Sequence, residues 1–252
     1  MYSQLDGLQW VLLALIPLIF LQRALHREMQ AVFLLLTRRV DIALVIFSMI
    51  FLPGVLLHEA SHYLMAKILR VRTGRFSLIP QRLGDGRLLL GYVETAPTDI
   101  LRDALIGAAP LMTGGLFVAY AGRTRLGLLS LWDALSSLDL ATAIDGFSFV
   151  HDRPDFWLWF YLIVTVSSTM LPSSTDRRAW LPLIVVVALL LGLGILVGVG
   201  PWMLENIAPP VNEALRASAV VLAMSAAIHL VVLIPTLFTR RVLSRIFRLE
   251  VV

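Results

Sequence analysis

His58, Glu59 and His62 sit inside the apolar run FLPGVLLHEASHYLMAK, residues 51–67, as the pattern H-E-x-x-H. On a helix, residues four apart share one face, so both imidazoles can reach a single tetrahedral zinc ion. Glu59 then lies beside the open coordination position, where a carboxylate can take a proton from water and later return it to a leaving amine. The pattern arises by chance in on the order of one chain in 10³ of this composition. The bland reading is a pair of histidines hydrogen-bonded across helices, as polar groups are in membranes. A glutamate added to such a pair in an apolar segment needs a further reason, because ionisable groups at that depth are costly.

Two histidines leave a hydrolytic zinc site one protein ligand short. The acids and histidine that lie in or near apolar segments are Asp176, Glu94, Glu205, His229 and Asp103. Asp176 closes the stretch SSTMLPSSTD just after one apolar segment. His62 is five residues before Lys67, about 7.5 Å along a helix axis from the end of its own segment. Counting crossings places both on the same side. The chain has no cysteine, so thiolate ligation and disulfides are excluded.

The elements that position these groups are membrane helices. The chain is 58% hydrophobic and 15% charged with a mean hydropathy of +0.84, well outside the range of a soluble globular domain. Residues 179–202 run without one charge, long enough to cross a hydrocarbon core of about 30 Å. Hydropathy predicts an all-α polytopic membrane protein with six spans, at about 8–22, 42–69, 103–121, 156–171, 180–201 and 214–238, the first and fourth short. Residues 23–39 read as a helix lying in the interface, or as an extension of the first span. With six crossings, thirteen basic residues fall on one side and eight on the other, which predicts that both termini are cytoplasmic. The chain reads as one membrane-embedded domain, 1–252, with a core at about 42–180 and extra helices on either flank.

Two local features bear on the site. Pro53 removes a backbone donor from the carbonyl of Met49, which predicts a kink just before the motif. Residues 72–95 predict a cytoplasmic-side β-hairpin, with Phe76–Ile79 and Leu88–Val93 flanking Pro80 and a Gly84-Asp85-Gly86 turn. Its open edge could take an extended peptide by strand addition.

Three stretches together resemble the site-2 protease family of intramembrane zinc metalloproteases: LLHEASHYLMA, ALIGAAPLMTGG at 104–115 and TMLPSSTD at 169–176. The resemblance covers roughly residues 50–180 and implies His58, His62 and Asp176 as zinc ligands with Glu59 as the catalytic acid/base. It implies the lipid bilayer and a transmembrane protein substrate as partners, no nucleic acid, and the plasma membrane as location. The family's asparagines are absent: Thr113 and Gly114 stand at the first, Thr169 at the second, and Arg177 replaces the glycine after the aspartate. Two rival readings are a CAAX-processing type of membrane protease, with Glu94 or Glu205 as third ligand, and a zinc transporter, which needs a second polar cluster beyond His229.

Overall fold

The computed structural model describes residues 5–79, 81, 82, 88–136 and 139–248. The apolar runs form helices, because a backbone in lipid must satisfy its own polar groups. α1 (Gly7–Thr37) and α2 (Val40–Ile68) are joined by Arg38 and Arg39, with Arg38 in the left-handed conformation returning its N–H to Leu34. α1 continues unbroken through residues 23–37, so this segment extends the first span and is not a separate interfacial helix. α2 likewise runs unbroken through Pro53, and the carbonyl of Ile50 accepts a hydrogen bond from the Tyr161 hydroxyl at 2.7 Å.

After α2 the chain forms β1 (Thr73–Ser77), β2 (Gln81–Arg82), β3 (Leu88–Leu89) and β4 (Tyr92–Thr95), with β1 antiparallel to β4 and β2 antiparallel to β3. The predicted hairpin is present, with its outer strands shifted toward the ends of the segment. Pro80 and the Gly84-Asp85-Gly86 turn lie outside the described residues. The hairpin doubles back along α2: Leu78 and Leu90 pack on Phe47, Phe51 and Val55. It therefore lies against the apolar flank of a spanning helix.

α3 (Ile100–Tyr120) starts at Asp99, whose carboxylate accepts the Arg102 N–H, and ends in a π-helical turn, Ala121–Leu126. Two short helices, α4 (Leu128–Ser136) and α5 (Leu140–His151), follow where no element was expected from hydropathy. α6 (Phe156–Thr169) has 14 residues, about 21 Å, shorter than the hydrocarbon core. α7 (Trp180–Leu196) and α8 (Gly200–Asn206) are bent by 119° at a break of three residues, and α9 (Ala208–Phe247) is the longest helix. Among the described residues, four helices are long and apolar enough to cross a membrane, α1, α2, α3 with its π turn, and α9; the bent pair together passes the same test.

The packing fixes directions. Asp6 meets Arg216 at 2.6 Å, Glu28 meets Arg240 at 2.9 Å, and Arg38 lies over the Phe247 ring, so α1 and α9 are parallel. α1 and α2 form a tight antiparallel pair in which His26 rests on Phe47 and Phe51. α6 runs parallel to α2, with Tyr161 at Ile50, Thr165 at Gly54 and Thr169 at His58. α3 runs against both, from Ile106 beside His62 to Phe117 and Tyr120 beside Trp159. The α7–α8 pair leaves near Asp103, held by Arg178, and returns to Asn212 beside Gly7. Both points are at one end of the bundle, so the pair makes a re-entrant excursion and not the straight span predicted for 180–201.

The expected six crossings are not confirmed among the described residues, and residues 6 and 248 lie at opposite ends of the helix bundle. Moving Arg240, Arg241, Arg245 and Arg248 to the other end also removes the excess of basic residues on which the assignment of both termini to the cytoplasm rested.

Candidate metal centre

α2 places His58 and His62 on one face with ring centroids 4.8 Å apart. Each ring is fixed from outside its helix. The Nδ1 of His58 is 2.6 Å from the carbonyl of Thr169 at the end of α6, and the Nδ1 of His62 is 2.8 Å from the carbonyl of Ile106 on α3. A carbonyl only accepts, so each Nδ1 carries the proton and each Nε2 presents a lone pair. A carbonyl partner of this kind is how metal-binding histidines are oriented.

Asp176 comes from the loop after α6. Its Oδ1 is 3.3 Å from His62 Nε2 and its Oδ2 is 3.8 Å from His58 Nε2, while the two Nε2 atoms are 3.2 Å apart. Ligands at about 2.0–2.2 Å from a tetrahedral ion are separated by about 3.3–3.6 Å; the two Nε2 atoms and the His62–Oδ1 pair have close to that spacing, and one ligand atom from each of the three residues lies within 4.8 Å of the other two. A proton on one imidazole would tie two of these atoms together; a cation ties all three. The residues present thus fit zinc, with room for a fourth ligand on the cavity side.

The loop is built to deliver this carboxylate. The Ser173 N–H donates to Asp176 Oδ2 at 2.7 Å, and the Asp176 N–H donates back to the Ser173 hydroxyl. The loop also comes close to α3: a Cβ added to Gly107 would run into the Asp176 carbonyl oxygen. Gly54 plays the same part for α6, since its Cβ would meet the Thr165 carbonyl oxygen.

Glu59 is 7% exposed and lines a cavity of about 740 Å³ together with His58, His62, Asp176 and the inner edge of β4. Gly91, just before β4, brings the hairpin within contact of the Glu59 side chain. An acid, a cavity and an extended strand thus meet at the three candidate ligands.

The other candidate ligands are placed elsewhere or already partnered. Asp103 forms two hydrogen bonds of 2.7 Å with Arg178, and Glu94 accepts the Arg75 N–H at 3.1 Å. His229, fully buried, gives its Nδ1 proton to the Ser225 carbonyl and accepts the Ser168 hydroxyl at Nε2, at 2.9 Å. Glu205 lies on the short α8. The hydroxyls of Thr113 and Thr169 bond the carbonyls of Ala109 and Thr165 one turn back, so neither replaces an asparagine carboxamide in the cavity.

Sequence reasoning missed Gln22 and His26, both on α1 and both lining the cavity. Their signal was polarity within a helix that hydropathy had ended at residue 22. It also missed Gly107, whose role depends on a loop some seventy residues away. Comparison with protein-family models, characterised proteins and solved structures finds no match to this chain.

Proposed function

We propose that this protein is an intramembrane zinc metalloprotease of the site-2 type, acting in the plasma membrane on transmembrane segments of other proteins. The observation that carries the reading is the convergence of His58 Nε2, His62 Nε2 and an Asp176 oxygen, each within 4.8 Å of the others, with both Nδ1 atoms committed to carbonyls. Zinc held by His58, His62 and Asp176 would supply Lewis acidity toward a water or a substrate carbonyl oxygen. Glu59 takes the proton of that water and passes it to the leaving nitrogen. β4 holds the substrate extended, since a peptide bond inside a helix is shielded by its own hydrogen bonds. The apolar wall of α2 and the hairpin limits competing water.

The glutamate-ligand protease reading is less well supported, because Glu94, although it lines the cavity, and Glu205, on α8, both stand outside the cluster of His58, His62 and Asp176. Transport is less well supported, because His229 has both ring nitrogens occupied and no second ligand cluster exists among the described residues.

The test is Glu59→Gln, which keeps shape and loses the proton acceptor. Purified wild type should cleave members of a panel of single-span substrates in detergent, and the variant should lose about 10²–10⁴-fold in rate with its zinc unchanged. Equal cleavage by both proteins removes Glu59 from the chemistry. Zinc flux through liposomes at equal rates for both would assign the site to transport.

A further inference from the structure

The cavity continues past the metal centre to His26, whose Nε2 is buried without a hydrogen-bond partner. The ring is held edge-on between Phe47 and Phe51, at centroid distances of 5.3 and 4.9 Å. An orphaned nitrogen in an apolar wall costs free energy unless something pairs with it. Its height in the bundle follows from α2: Phe51 is seven residues before His58, about 10 Å along the axis.

β4 gives the direction of any added strand. Leu90, just before it, packs level with Phe51 and Val55, whereas Thr95 pairs with Thr73 near the end of α2. An extended segment laid on the inner edge of β4 thus runs along α2. At about 3.3 Å per residue, the axial offset from His58 to the level of Phe51, the nearer of the two rings to His26, is about three residues. Antiparallel addition, the more stable pairing, points the carboxyl end of the segment toward His26. Val55 and Leu90 wall the intervening space.

Resting on the peptidase reading of the metal centre, we infer that His26 forms a polar specificity subsite. It selects a substrate whose third residue on the carboxyl side of the scissile bond carries a hydrogen-bonding side chain, a carboxamide or hydroxyl. Such a residue within a transmembrane segment is rare, so the subsite discriminates among otherwise uniform apolar helices. A leucine there leaves Nε2 unpaired and an apolar group against it.

The test uses peptides that carry a hydroxamate at their amino end, where it chelates zinc and leaves the following residues to run toward His26. Two such peptides differ only in Asn or Leu as third residue. Their affinities are measured in detergent for zinc-loaded wild type, His26→Leu and His26→Gln, with acetohydroxamate as a probe of the metal alone. The Asn peptide should bind wild type about tenfold more tightly than the Leu peptide. His26→Leu should abolish that ratio, and His26→Gln, which keeps a polar group at the same place, should retain most of it. All three proteins should bind acetohydroxamate equally. The same ratio in wild type and His26→Leu, or no preference in wild type, overturns the subsite. If acetohydroxamate binds none of the zinc-loaded proteins, the reading of the metal centre itself fails.

Discussion

At the scale of single residues, Asp176 is the least obvious part of the site and the most decisive. His58 and His62 could be paired from sequence because one helix holds both, and helical spacing alone puts them on one face. From the residues alone Asp176 could only be placed on the same side, and it was the resemblance of TMLPSSTD that singled it out; the structure adds that Arg178 and the Arg75 N–H hold Asp103 and Glu94. The expected outcome is that His58→Ala, His62→Ala and Asp176→Ala each lower bound zinc well below one per chain, read by metal analysis after gel filtration in detergent. Glu94→Ala, Glu205→Ala and His229→Ala should keep it. Loss of zinc in Glu94→Ala with retention in Asp176→Ala would move the third ligand to the hairpin. Glu59 should behave differently from all of these, keeping zinc when changed to Gln.

At the scale of elements, the site depends on close approaches that only glycine permits. Gly107→Ala places a methyl group against the Asp176 carbonyl, so the loop or α3 must shift by an ångström or more. Displacements of that size cost on the order of 10²-fold in rate at a catalytic centre. Gly192 on α7 has nothing within 4 Å of an added Cβ, so Gly192→Ala should leave activity unchanged and favour the helix slightly. Equal effects of the two substitutions, measured as cleavage rate at saturating zinc, would show that the Asp176 loop is not held by α3. Which elements were legible follows the same physics. α2 and α3 are apolar enough to read directly, whereas α1 was cut short by Arg23, Arg27 and Glu28, whose partner Arg240 lies on α9. α7 and α8 read as one span because nothing in an apolar run marks a bend except glycine, and Gly198 is the residue with φ of +86° at the break.

At the scale of the whole molecule, the parallel pair of α1 and α9 decides the topology. Reporters fused ahead of Asp6 and after Arg248 should report opposite sides of the membrane, and one inserted between Arg70 and Thr73 should agree with the first. Agreement of the two end fusions would overturn the parallel packing. The hydropathy count gave an even number of crossings because it took the re-entrant pair for a span, and one such miscount reverses every assignment that follows it. The same pair has a consequence for how the protein is made. Glu28, 2% exposed in the finished fold, is joined to Arg240 across 212 residues of chain. At about 5–20 residues per second, translation needs roughly 10–40 s to supply that partner. Through that interval α1 holds its carboxylate in or near lipid with only the exposed Arg27 beside it. A nascent chain stalled before α9 therefore shows the bilayer a charge that the completed chain conceals, and that difference is a chemical mark by which a cell's quality control can separate the two.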